Sequence, residues 1–374
     1  MELDLSSDQE LLRQTAVRFI EAECPLPTVR RLAQGEAGLP DGYLRAAAEL
    51  GWFAMLVPEE HGGGNVSGEG VRDLAIVAEE RGRGLQPGPF VSMNVAAWAL
   101  AAAGSDAQQR DLLPRLCGGE LVATWVPGDA GAGWVPGDAV TATPVAGEFR
   151  LSGRASLVQD GDRADWLLVT AGGPDGTSQF VVEAAAPGVT ISALAGHDIT
   201  QRLARISLRD VRVPATSLVG APGGGGVEAE HQLQLACVLS TAETVGAMDA
   251  LFEMARQYAL DRTAFGRPIG SFQAVKHQLA DMSLSLEAGK AITAAAVRAV
   301  QEQQEDAGEI ASMAKSWVGD TGIDVAQGCA QIFAGIGYTW EHDSHLYLRR
   351  ITMNGLLFGQ ADWHRERICR MHGL

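Results

Sequence analysis

Apolar positions along the chain change their period twice. Near the amino terminus, Ser7 and Glu10 have the spacing of a capping box, and Leu11, Leu12, Thr15, Phe19 and Ile20 continue at helical spacing. Helical patterns recur over 43–50, 70–81, 91–103 and 107–117, predicting an all-helical unit over 1–118. From Leu121 the pattern shortens to β-branched runs over 140–143, 148–152, 166–170, 179–183, 188–191 and 206–211, separated by Gly, Pro and Asp. Such runs predict an antiparallel β unit over 119–226. The glycines Gly223 to Gly226 close it; without the Lys-Ser/Thr of a phosphate loop, they read as a flexible linker. Long helical patterns follow over 228–260, 273–304 and 307–334, with a closing helix past Arg349, predicting a four-helix bundle over 227–374. The expected fold is mainly α with a central β domain.

Charge and cysteine content narrow the function. A net charge of −17 argues against a nucleic-acid partner, since phosphate backbones are drawn to clustered Lys and Arg. The five cysteines, Cys24, Cys117, Cys237, Cys329 and Cys369, show no metal-ligand spacing and read as buried reduced thiols. His342, His345 and His364 read as surface or helix-capping residues, and no metal is expected. No amino-terminal segment has the pattern of a signal peptide, and the longest apolar tract, 95–103, is short of the ~20 residues that span a bilayer. A cytoplasmic protein without a membrane partner is expected.

Two blocks carry the chemistry. One runs from Arg262 through Phe265 and Gly266 to Gln273; the other holds Gln331, Ile332, Gly335 and Gly337. An arginine at a helix end can hold a pyrophosphate by charge-assisted hydrogen bonds, an aromatic ring can pack on an adenine, and a glutamine can bond a ribose. Glycines permit close backbone approach. The blander reading makes Phe265, Ile269 and Phe272 bundle core and pairs Arg262 with Asp261. Several polar and glycine positions matching together favour a site for FAD, with Arg262, Phe265, Gln273, Gln331, Ile332 and Gly335 as its candidate residues.

With these blocks, the runs Leu50-Gly51-Trp52-Phe53, Pro58 to Gly63, Ala78 to Arg81 and Lys276 to Met282 make the chain resemble the acyl-CoA dehydrogenase family over nearly its whole length. The resemblance implies that family's fold: an N-terminal helical domain, an antiparallel β domain and a C-terminal four-helix bundle. It also implies that the two blocks reach the FAD of a neighbouring subunit. The family's reaction removes a proton alpha to a thioester with a glutamate base and passes a hydride from the beta carbon to the flavin. The two positions where relatives carry that glutamate fall at Phe358 and Ala236. Glu243 and Asp362 are the nearest acids; Glu243 lies too far along its helix, and Asp362 reads more readily as a solvated acid.

Other departures point the same way. Leu157 and Gln159 stand where relatives place a tryptophan and a threonine against the flavin ring, Pro127 to Gly133 replaces a Thr-Glu-Pro run before Gly and Ser, and Cys237 replaces a substrate-holding arginine. Ala334 departs from a glycine usual in its turn. Residues serving another subunit's FAD are kept, whereas those serving this chain's own flavin ring, substrate and base are replaced. The resemblance therefore implies the base-lacking subunit of a bacterial α2β2 acyl-CoA dehydrogenase of the steroid side-chain type. Its partners would be a related catalytic subunit, an acyl-CoA substrate, and an electron acceptor such as an electron-transfer flavoprotein. Two alternatives stay open: a self-sufficient homotetramer with an atypical base, and a flavin-free scaffolding protein.

Overall fold

The computed structural model describes residues 5–35, 38–128 and 134–374. Six helices come first: α1 (Ser7–Glu23), α2 (Leu26–Gln34), α3 (Tyr43–Glu49), α4 (Gly70–Arg83), α5 (Phe90–Ala103) and α6 (Asp106–Cys117). The capping box of α1 sits one residue earlier than the sequence suggests. Ser6 accepts from the Gln9 backbone N–H and the Gln9 side chain accepts from the Ser6 N–H, so Ser7 already lies inside the helix. The run 95–103 lies in α5, most of whose residues are buried, as its all-round apolar pattern requires.

The strands β1 (Ala123–Val126), β2 (Val140–Val145), β3 (Glu148–Gln159), β4 (Trp166–Gly173), β5 (Gly176–Glu183), β6 (Val189–Leu194), β7 (Leu203–Pro214) and β8 (Leu218–Val219) form one sheet. Its order is β6-β7-β3-β2-β4-β5-β8, with β1 added on β4. The sheet is mostly antiparallel, but β1 and β2 each run parallel to β4, a feature that short alternating runs do not reveal. Side-chain alternation lets β1 serve two cores: Ala123 and Trp125 pack toward the helices, and Val126 into the sheet's own apolar layer.

The glycine run is not a flexible linker. Gly223 donates to the Ser178 hydroxyl at 2.8 Å, and a Cβ on it would lie 2.2 Å from the Asp175 carbonyl; Gly225 already opens the next helix. Glycine is needed there because the backbone is pressed against β5. The bundle comprises α7 (Gly225–Asp261), α8 (Gln273–Gln301), α9 (Ala307–Phe333) and α10 (Ser344–Leu356), closed by α11 (Ala361–Met371). By length and composition α7 could cross a membrane, but 89% of its most apolar window is buried inside the fold. It is the bundle's central core helix. Cys24, Cys117, Cys237 and Cys329 are buried; Cys369 is exposed, contrary to expectation, because it lies on the outer face of α11.

One buried charge joins all three regions. Arg350 of α10 donates to Asp198 at 2.7 Å and to Glu243 of α7 at 3.1 Å. It also donates to the Thr200 hydroxyl and to the carbonyls of Leu85 and Gln86. Asp198 in turn accepts from the Thr200 backbone N–H and hydroxyl, so the burial of these charges is compensated by a nearly complete set of bonds.

Candidate functional site

The cleft between α5, β1, the end of β3 and the turn after α10 is closed. A cavity of about 10 Å³ remains, lined by Val91, Ser92 and Val95 of α5, by Trp125, Pro127 and Trp134, by residues 156–159, and by Phe358. The Phe358 ring stacks on Trp125 with centroids 6.3 Å apart at 19° and meets Trp134 at 5.5 Å. All three aromatic side chains are at most 5% exposed. Trp125 is fixed from behind, its Nε1–H donating to the Thr170 hydroxyl at 3.1 Å. Among the described residues, no acid, base or cation lines this cavity. Leu157 lies in the left-handed backbone region at φ +58°, and among the described residues the Gln159 side-chain oxygen has no hydrogen-bond partner. Residues 129–133 of the run Pro127 to Gly133 lie outside the described residues.

Neither nearby acid faces the cleft as a free carboxylate. Both oxygens of Glu243 are engaged, one by Arg350 and the other by the Asn354 side chain at 3.1 Å. The Asp362 side chain is 95% exposed and accepts from Arg365. Ala236 is fully buried, and the neighbouring Cys237 thiol, pushed up to about 11 by burial, approaches the Phe358 carbonyl at 3.8 Å. His342 does cap α10, accepting from the Ser344 backbone N–H. His364 is a correction to the surface reading: it is fully buried, and its Nε2 lies 3.1 Å from the Phe358 carbonyl. Since a carbonyl only accepts, the ring carries its proton on Nε2. Burial, reinforced by Lys315 and Arg367, lowers its pKa to about 3 and keeps it neutral.

The two motif blocks meet at one end of the bundle. Tyr258 near the end of α7 packs edge-on to Phe333 at the end of α9, with centroids 5.5 Å apart. Gln278 near the start of α8 donates to the Gly328 carbonyl of α9. Arg262 and Gln273 therefore share this end with Gln331 and Gly335. Phe265 and Gly266 form the tip of a two-residue hairpin between β9 (Thr263–Ala264) and β10 (Arg267–Pro268), both with positive φ, the geometry such tips demand. Phe265 is 96% exposed, which removes the bundle-core reading for it. Asp261 is engaged by Gln257, and among the described residues no side chain pairs with the exposed Arg262 guanidinium. Arg267, by contrast, lies over the Phe272 ring at 4.1 Å. The Ile332 side chain is buried, so only its backbone is available to a ligand.

Ala334 adopts φ +55° and ψ −137°, a conformation that glycine tolerates and alanine rarely adopts. Ala334→Gly is expected to stabilise the fold by about 1 kcal/mol, read as a higher melting temperature. Gly335 is exposed, and an added Cβ would meet nothing within 4 Å, so packing within the chain does not require glycine there.

Reading the sequence found the substitutions at Phe358, Leu157 and Gln159 but missed Trp125 and Trp134, which flank the altered loop, and Lys315. The signal for the tryptophans was present: two large rings, one on each side of the Gly-rich run Pro127 to Gly133.

Comparison with known proteins agrees with this layout. Residues 6–120 match the model of the acyl-CoA dehydrogenase N-terminal domain, and residues 223–372 that of the acyl-CoA dehydrogenase C-terminal domain. The acyl-CoA dehydrogenase IpdE2 of Mycobacterium tuberculosis is 30% identical over 346 residues, covering 92% of this chain and 90% of that protein. Among solved structures, the ChsE4-ChsE5 complex of the same species is 27% identical with a TM-score of 0.90, covering 100% of this chain and 99% of the other. A variant of the Tcur3481-Tcur3483 steroid ACAD is 29% identical with a TM-score of 0.88, covering 98% and 97%. The chain belongs to the acyl-CoA dehydrogenase family, flavoprotein oxidoreductases that use FAD.

Proposed function

We propose that this chain is the non-catalytic subunit of a heteromeric acyl-CoA dehydrogenase, completing the FAD site of a related catalytic subunit. The observation that carries the reading is the closed cleft: among the described residues, Trp125, Trp134 and Phe358 converge to leave a cavity of about 10 Å³, too small for a flavin ring or an acyl chain. With Phe358 and Ala236 at the two positions of the family's base, and Glu243 and Asp362 committed elsewhere, no group among the described residues lining the cleft is placed to take the substrate's alpha proton.

The other end of the bundle fits a nucleotide tail. Arg262 caps the end of α7, 25 residues beyond Cys237 and so about 37 Å from it along the helix axis. Its guanidinium would hold the pyrophosphate, Phe265 would pack on the adenosine, Gln273 and Gln331 would bond its polar groups, and the backbone of Ile332 and Gly335 would approach closely. When bound, FAD accepts the hydride from the beta carbon of the thioester. The partner subunit would supply the base and enclose the ring. The likeness to structures described as ChsE4-ChsE5 and as a steroid ACAD favours a steroid side-chain thioester as substrate and an α2β2 assembly. An electron-transfer flavoprotein is the proposed electron acceptor.

The test is reconstitution. This chain and a related chain bearing the family glutamate are assayed alone and together with a steroid side-chain CoA thioester and a dye acceptor. Activity is expected from the pair, and loss of that activity when the related chain's glutamate becomes glutamine. Comparable turnover by this chain alone would overturn the reading.

A further inference from the structure

The turn that carries Phe358 is held in an unfavourable backbone conformation by an unusual set of bonds. Phe358 has φ +61° and Gly359 φ +109°, and a Cβ on Gly359 would lie 2.5 Å from the Trp363 ring. A bulky residue at positive φ costs on the order of 1–3 kcal/mol and persists only where its surroundings over-determine it. Here they do. The Lys315 ammonium of α9, 3% exposed, donates to the carbonyls of Asn354 at 2.7 Å, Gly355 at 3.3 Å and Gly359 at 3.2 Å. His364 donates to the Phe358 carbonyl at 3.1 Å, and the Cys237 thiol approaches the same oxygen.

Among the described residues, Lys315 has no carboxylate partner; its bonds go to two carbonyls in the last turn of α10, where the helix dipole favours a cation, and to the Gly359 carbonyl just beyond it. Burial nevertheless lowers its pKa to about 8. A buried cation spent wholly on three carbonyls is expensive unless their placement matters. The carbonyls it holds bracket Phe358 on both sides.

We infer that Lys315 is the positioning residue that latches Phe358 into this chain's own cleft, keeping closed a space that would otherwise admit an aromatic ligand. The inference rests on the closed-cleft reading above. With the latch removed, the turn relaxes out of its positive-φ conformation, Phe358 leaves Trp125 and Trp134, and a hole of benzyl size opens between them. Apolar cavities of that size take up benzene.

The experiment compares the full-length wild-type chain, Lys315→Met, Phe358→Gly and the double variant, using benzene as the probe and melting temperature as the readout. Methionine keeps the length and apolar stem of the lysine, and replacing a buried charge by an apolar isostere is often tolerated, so the fold should survive; circular dichroism checks this. Benzene should leave the wild type unchanged and raise the melting temperature of Phe358→Gly and Lys315→Met saturably, by about 1–3 °C. The double variant should bind no better than Phe358→Gly alone, because the lysine acts through that ring. A folded Lys315→Met that ignores benzene while Phe358→Gly binds it would overturn the latch and leave the closed cleft standing. Saturable benzene uptake by the wild type would overturn the closed cleft itself.

Discussion

Arg262→Ala in the proposed heteromer, reconstituted with a related chain, is expected to weaken FAD binding by about 10–100-fold. Charge-assisted hydrogen bonds to a phosphate are worth about 1.5–3 kcal/mol, and the Arg262 guanidinium reaches the bundle end with no competing partner among the described residues. Neighbouring Arg267 is already stacked on Phe272, so Arg267→Ala should cost less. Flavin release measured by equilibrium dialysis of each complex separates the two. Unchanged affinity in Arg262→Ala would instead favour a flavin-free scaffold.

The largest effect on stability is expected at Arg350→Met, a loss of about 3–5 kcal/mol measured by chemical denaturation. The arginine is fully buried, and its removal strands Asp198 and Glu243 inside the fold, each without its cation. Because the partners come from the sheet region and from α7, and the accepting carbonyls from Leu85 and Gln86, the variant should loosen the joints between regions as well as lower the midpoint. Adding Asp198→Asn should recover part of the loss, since one stranded charge is then gone.

Period and turn chemistry made most of the fold legible. The long helices could be read because their apolar faces persist over many turns, and the strands because β-branched runs are short and bounded by Gly, Pro and Asp. The glycine run misled because composition describes a linker and a close backbone contact in the same letters; the Asp175 carbonyl and Ser178 hydroxyl beside Gly223 distinguish them. His364 misled for a similar reason, since burial beside the Phe358 carbonyl depends on a partner six residues away in a turn with positive φ.

At the candidate site, motif spacing picked out the two blocks that the fold brings to one end of the bundle, and substitution at Phe358 and Leu157 signalled an altered cleft. That the cleft is filled was not legible. It depends on Trp125 and Trp134 converging on Phe358 from separate segments, and on Lys315, 43 residues earlier in the chain, fixing the turn between them.

The central claim is that the nucleotide end of this chain serves a flavin whose ring it does not hold. Counting FAD by absorbance in the purified chain alone and in the purified heteromer tests this most directly. The account predicts no retained flavin in the lone chain and one FAD per unlike pair in the heteromer. One stably bound FAD per chain in the isolated protein would contradict it.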